Sequence, residues 1–254
     1  MRQAWLTVRA LTTRAFHEVL RVPGAAVPGI LAPTIFMLGL SSVFGEAARL
    51  PGFTADDFRT YIVPVGLLQG AAFAGAATGV NMARDIERGW FDRLLLAPQS
   101  RGVVLAGLVT SASFRSLMPG TFLVAVALVL GVHIPSVGGI LLTIVLIMGL
   151  AAAIACWGSI VALRFRTQQA APLIQILGFI AVLFTTAYAP FALLTPWLRA
   201  IAHVNPVTYV LEGVRQGFVG DVSWADTWPA LLAVGAMLLL LGAWAVRSMR
   251  RFGT

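Results

Sequence analysis

Residues 82–101 read MARDIERGWFDRLLLAPQSR, and seven of them are charged: Arg84, Asp85, Glu87, Arg88, Asp92, Arg93 and Arg101. The flanking stretches, 61–83 and 102–131, hold one charged residue between them, Arg115. A short charged segment therefore separates two runs long enough to cross a bilayer. Within it Ile86, Trp90 and Leu94 recur every four residues with Phe91 beside them, so a helix over 84–96 carries one apolar stripe. On its other face Arg88 can pair with Asp85 at i,i+3 and with Asp92 at i,i+4. Gly89 weakens such a helix by about 1 kcal/mol relative to Ala, and Pro98 ends it. Two readings fit: an amphipathic loop lying on lipid headgroups, or a docking helix offered to a soluble partner.

Working outward, the chain is 59% hydrophobic and 11% charged, with a mean hydropathy of +0.88. An ordinary soluble domain carries roughly 25% charged residues. The apolar residues come in blocks of spanning length, which predicts an all-α polytopic membrane protein. The short alternating segments of a β-barrel are absent. A net charge of +8 on a soluble chain points to nucleic acid. Here the basic residues are spread over loops between spans, so they report topology and no nucleic-acid partner is expected. All 18 basic residues are Arg. A phosphate-binding loop of the G-x-x-x-x-G-K-[ST] type needs a Lys, so any nucleotide-driven work has to come from another polypeptide. Cys156 stands alone in an apolar run and forms no intrachain disulfide. The first apolar run is too long for a signal-peptide core and is expected to stay as an anchor.

Residues 1–21 interleave Trp5, Leu6, Val8, Leu11, Phe16, Val19 and Leu20 with Arg2, Arg9, Arg14 and Arg21, the pattern of an interfacial amphipathic helix. Six spans are predicted, at 22–44, 61–82, 103–132, 138–163, 170–194 and 228–246. In the second, Gly66, Gly70, Ala74 and Thr78 recur every four residues beside Ala71, Gly75 and Gly79. This small-residue face permits close helix approach, either within the chain or at a dimer seam. The third run is longer than a bilayer core requires and contains Pro119-Gly120, where a break is expected. Arg115 then either snorkels to the inner interface or lines a polar cavity. The fifth span carries Gln175, Thr185, Thr186 and Tyr188, which suit a substrate pathway or a neighbour. Asn205-Pro206 is an N-cap followed by Pro at the first helical position. The helix it opens, 207–218, is about 18 Å long, too short to cross, and reads as re-entrant or interfacial.

Six spans put both termini on one side. Segments 1–21, 82–101, 164–170 and 247–254 hold 13 Arg, against 4 in the loops of the opposite face. That bias places the termini and the 84–96 helix in the cytoplasm. His17, His133 and His203 lie in separate segments and no paired Cys or His spacing occurs, so no metal site is expected. No span holds two carboxylates for a proton relay or hydrolysis, which disfavours both an intramembrane enzyme and a proton-coupled transporter.

Glu87-Arg88-Gly89, Leu94-Leu95-Leu96-Ala97-Pro98 and Arg101 resemble the segment after the second span in permeases of type-2 ABC exporters. Downstream, Pro196-Trp197-Leu198, Asn205-Pro206-Val207-Thr208-Tyr209 and Glu212-Gly213-Val214-Arg215 resemble that family's last external region. The resemblance runs over essentially the whole chain and is greatest to the daunorubicin-resistance-type permeases. It implies a single permease domain over 1–254 that pairs with a second copy or a homologous permease and with two separately encoded ABC ATP-binding subunits. ATP and Mg would be bound by those subunits, with no cofactor on this chain. The coupling helix, 84–96, would contact the ATPase through Asp85, Ile86, Glu87, Arg88, Trp90, Phe91, Arg93 and Leu94. The external re-entrant helix, 207–218, would be built around Asn205, Pro206, Tyr209, Glu212 and Arg215, and the pathway would involve Arg115 and the polar residues of the fifth span. The expected function is outward movement of an amphipathic drug, lipid or lipid-linked substrate across a bacterial inner membrane. The external segment before the last span is short, so no large substrate-binding ectodomain is expected. A non-transporting structural or regulatory membrane subunit is the competing expectation.

Overall fold

The computed structural model describes residues 2–21, 23–49, 57–95, 100–134, 136–220 and 222–252. Val22, Asp56, Pro135 and the Leu96-Ala97-Pro98 motif lie outside them. All regular structure among the described residues is helical: α1 (Arg2–Arg21), α2 (Pro23–Val43), α3 (Phe58–Glu87), α4 (Trp90–Leu95), α5 (Arg101–Val129), α6 (Val137–Phe165), α7 (Ala171–Leu183), α8 (Pro196–Val204), α9 (Pro206–Val219) and α10 (Trp224–Arg251). Four of these, α3, α5, α6 and α10, are long and apolar enough to cross a membrane, and shorter apolar helices cover Gly29–Val43 and Gln168–Leu183.

Helix α3 is the centre of the bundle: 89% of its apolar window is buried, against 22% for that of α10, whose outer face is left to lipid. Asp57 caps it by accepting a hydrogen bond from Arg59 N. The small-residue face predicted for it packs inside the chain. A Cβ added to Gly75 would lie 2.5 Å from the Ala151 carbonyl oxygen, and one on Gly79 would lie 2.5 Å from Gly158 Cα, so α3 and α6 touch backbone to backbone. Gly66 and Gly70 instead leave room for side chains of α5, those of Leu123 and Pro119.

Contacts divide the bundle into two ends. At one, α1, α4, the C-termini of α3, α6 and α10 and the N-terminus of α5 meet around Leu11, Met82, Phe91, Leu105, Leu163 and Phe252. This is the arginine-rich end. At the other, the far end, Arg59 at the start of α3 donates to the Leu130 carbonyl past the end of α5, and Gly139 of α6 lies against Gly217 of α9.

Several expectations need correcting. The helix expected over 84–96 is two pieces, because Gly89 takes up a left-handed φ of +68° between α3 and α4. The break expected at Pro119-Gly120 is absent: α5 runs continuously to Val129. Pro119 has no N–H for the Arg115 carbonyl, but it packs on Gly70, and a buried proline is tolerated where neighbouring helices surround it. The fifth span, expected over 170–194, stops at Leu183 after 13 residues, about 20 Å, and residues 184–190 are irregular. Helix α8 was not foreseen. Helix α10 extends well beyond 228–246 because Ser223 caps it through a bond from Asp226 N.

The α3–α6 contact carries a test. Gly79→Ala is expected to destabilise the chain in detergent by about 1–3 kcal/mol, since backbone must move to admit the methyl. Gly102→Ala, where a Cβ meets nothing within 4 Å, is expected to be neutral or stabilising by up to about 1 kcal/mol. Thermal unfolding of the two variants against the parent measures the difference.

Candidate functional site

Polar side chains gather at three places: a network at the far end, a single arginine midway, and the charged end.

The far-end network forms where α7 stops. A broken helix leaves carbonyls that nothing in a bilayer can hydrate. Asn205 answers them from outside the helix: its Nδ2 donates to the Ala181 and Phe184 carbonyls at 2.7 and 2.9 Å, while its Oδ1 accepts from Val207 N and caps α9. The Thr186 carbonyl, deep in the irregular stretch, accepts from Tyr61 Oη and from Arg215 Nη2, both at 2.9 Å. Arg215 also binds Glu212 Oε1 at 2.6 Å, and its guanidinium lies 3.9 Å from the centre of the Tyr61 ring. The Thr186 hydroxyl donates to the same Glu212 oxygen. Tyr188 lies beside Gln69 of α3. Tyr209 donates to the His203 carbonyl and ties α8 to α9, with Pro206 in the first turn.

The residues expected along the pathway thus separate. Thr185 and Thr186 are buried, Tyr188 is half-buried, and Gln175 is exposed on the outer face of α7, apart from the others. Thr186 instead joins Glu212 and Arg215 of the short helix. Spacing in the sequence does not reveal this, although Tyr61 and Gln69, polar groups inside an otherwise apolar span, were visible signals.

Arg115 does not snorkel. It is 7% exposed, and its Nη2 donates to the Ala74 carbonyl at 2.8 Å and to Thr78 Oγ1 at 2.7 Å, clamping α5 to α3. With Arg14, Asn81 and Asp85 it lines a cavity of about 30 Å³, which takes water but no drug-sized molecule.

At the charged end the turn at Gly89 gives each residue a distinct job. Asp85, expected to pair with Arg88, instead binds Arg14 of α1 at 2.9 Å. The same guanidinium lies 3.8 Å from the centre of the Trp90 ring. Glu87 accepts from Thr167 Oγ1 and from Gln168 N, capping the turn into α7. Phe91 is buried edge-on against Phe252, their centroids 5.5 Å apart. Ile86 and Leu94 pack into the same cluster, so the stripe faces inward and is not an outer ridge. Arg88, Trp90, Asp92 and Arg93 remain exposed. Arg101 donates to the Met249, Arg250 and Phe252 carbonyls and so caps α10.

These features define a multi-pass helical membrane protein with a charged helical turn at one end and a polar, broken-helix assembly at the other. Residues 7–219 match the family described as ABC-2 type transporter, and the chain belongs to that family. It is 25% identical over 252 residues to the inner membrane transport permease YadH of Escherichia coli K12, covering 95% of this chain and 94% of that one. It is 26% identical over 249 residues to the putative transport permease ycf38 of Porphyra purpurea, covering 92% and 83%. It is also 26% identical over 224 residues to the probable doxorubicin resistance ABC transporter permease protein DrrC of Mycobacterium tuberculosis, covering 86% and 77%.

The far-end network is testable without an activity. Arg215→Met leaves Glu212 without its countercharge and the Thr186 carbonyl with one donor fewer. The expected loss is about 2–3 kcal/mol, below the roughly 3–5 kcal/mol of a fully buried pair, because the Glu212 side chain is 34% exposed. Tyr61→Phe is expected to cost about 1 kcal/mol. Adding Glu212→Gln to Arg215→Met should recover part of the loss in the same unfolding measurement.

Proposed function

We propose that this chain is the permease subunit of an ATP-driven exporter, working with a second copy or a homologous permease and with two separate ATP-binding subunits that carry ATP and Mg. The observation that carries the reading is the construction of the charged end. Trp90, 37% exposed, carries the Arg14 guanidinium of α1 against its ring and stands on a six-residue helix tied to the end of α10 through Phe91 and Phe252 and to α3 through Gly89. A partner that moves α4 moves all three. Helix α3 then runs about 40 Å to Tyr61, which holds the Thr186 carbonyl in the far-end network. The ATPase contact thereby acts on an outer gate made of α9 and the broken end of α7.

The arginine-rich end is cytoplasmic in this reading, and the protein sits in a bacterial inner membrane with six crossings and both termini inside. The 13-to-4 distribution of Arg supports it. The substrate class is amphipathic: a drug, a lipid or a lipid-linked molecule, entering between permeases or from the inner leaflet. The name of the mycobacterial relative favours drug-like cargo.

Single cysteines at Asp92 and Asp57, in a Cys156→Ala background, test the orientation. An impermeant thiol reagent added to intact cells should label Asp57→Cys and spare Asp92→Cys, and the reverse pattern rejects the orientation. Trp90→Ala tests the coupling. Burying a Trp in a partner groove is commonly worth about 2 kcal/mol or more, so binding to the ATPase should weaken about 30-fold or more, with vesicle transport falling alongside. Glu87 is a poor choice for this test, because reversing its charge also breaks the cap on the turn into α7. Undiminished ATPase binding and transport by Trp90→Ala would remove α4 from the coupling path.

A further inference from the structure

Along its outer face, α10 changes character toward the arginine-rich end. Leu240, Trp244, Arg247 and Arg250 follow one another at steps of three and four residues, and all four are exposed. The face therefore passes from aliphatic through aromatic to cationic, in the order in which a bilayer passes from acyl chain through interface to headgroup. The depth agrees. Helix α10 has 28 residues, about 42 Å, against a hydrocarbon core of about 30 Å. Centred, it overhangs by about 6 Å at each end, so Arg247 stands at the edge of the core, with Arg250 beyond it and Trp244 just inside.

Helix α6 supplies a matching edge. It runs parallel to α10, and two contacts hold the pair side by side at this end. The Trp157 and Trp244 rings meet edge to face with centroids 6.4 Å apart, and the Arg166 guanidinium lies 4.7 Å from the centre of the Phe252 ring. Arg164 is exposed and follows Trp157 by seven residues, two turns further along the same face of α6. Arg164, Arg166, Arg247 and Arg250 thus stand exposed at the ends of two adjacent helices. No acidic residue occurs in α6, and none in α10 after Asp226. Of the carboxylates on the neighbouring helices, Asp85 holds Arg14 and Glu87 caps the turn into α7, which leaves Asp92 of α4. Positive charge is in surplus along this edge, and the partner that fits it is an anion.

We propose that the outer edge shared by α6 and α10 at the arginine-rich end is a binding site for an anionic phospholipid of the adjoining leaflet. The lipid phosphate lies between Arg164 and Arg247, and one acyl chain runs past the tryptophan pair and down the Leu240 side of α10. A soluble acidic partner would meet the arginines, but it gains nothing from Trp244 and Leu240, 52% and 73% exposed on the same face. A phospholipid matches all of them at once. The site depends on the chain being in a membrane and does not depend on export.

The test uses the full chain, without any ATPase, in vesicles of phosphatidylethanolamine and phosphatidylcholine. One sample holds a trace of phosphatidylglycerol with a diazirine near the ester of one acyl chain, and a parallel sample holds phosphatidylcholine with the same chain. After irradiation, adducts are mapped by mass spectrometry. The ratio of phosphatidylglycerol to phosphatidylcholine labelling over residues 240–247 should exceed several-fold the ratio over 228–232, toward the opposite end of the same helix. Arg164→Gln combined with Arg247→Gln should bring it down to about that reference, since each arginine near charged lipid is worth about fivefold. Arg164→Lys with Arg247→Lys keeps the charge and should keep the preference. Arg88→Gln with Arg93→Gln removes the same charge from the α4 region and should leave the preference in place. Equal ratios at the two ends of α10 overturn the site, and so does loss of the preference in the Lys pair. An equal fall in the Arg88 and Arg93 variant overturns it too, because the lipid would then be gathered by the net charge of this end and not held by α6 and α10. If the Gln pair does not fold, Arg247→Gln decides alone, and an undiminished ratio in that variant overturns the proposal.

Discussion

A carbonyl that loses its helical donor inside a bilayer has no water to turn to, and α7 leaves such carbonyls when it stops at Leu183. Much of the far end is arranged around them. Asn205 reaches two, and Tyr61 and Arg215 converge on a third. The donors come from α3 and from α9 with its N-cap, so the irregular stretch stays in place only while α3, α7 and α9 keep their relative positions. The constraint works in both directions: the break needs those helices, and it also locks them together.

Arg215 brings charge into this region at a cost that only local partners offset. Glu212 supplies the countercharge, the Tyr61 ring a cation–π face, and the Thr186 carbonyl an acceptor. With so many partners converging on one guanidinium, a modest shift of α3 or α9 breaks several interactions together. Discrete alternative arrangements, and not gradual bending, are the natural response of such a cluster. Arg115 holds α5 to α3 through the Ala74 carbonyl and the Thr78 hydroxyl.

Between the two ends runs α3, and its glycines set how tightly its neighbours pack on it. Gly75 and Gly79 let α6 approach until backbones touch, and Gly66 and Gly70 make room for the Leu123 and Pro119 side chains of α5. Contacts that close leave little room for sliding, so the three helices form one stiff body from Tyr61 to the turn at Gly89.

Much of this was legible in the residues alone. Apolar runs of spanning length, the Arg bias and the Asn205-Pro206 cap depend on local composition and spacing, and helices, membrane residence and the start of α9 followed from them. The stripe of Ile86, Trp90 and Leu94 was legible as a pattern, but its partner was not. The pattern assumes one helix, and Gly89 turns the chain so that Ile86 and Leu94 pack inward and Trp90 alone stays out. The continuity of α5 through Pro119, the early end of α7 and the pairing of Asp85 with Arg14 were likewise beyond local reading. Each is decided by a group far away in the chain, Gly70 for Pro119, Asn205 for α7 and α1 for Asp85. Sequence by itself determined which segments are helical and apolar, because those properties belong to neighbours along the chain. Only the tertiary structure decided where the polar groups find partners, because inside a membrane a donor and its acceptor meet across helices.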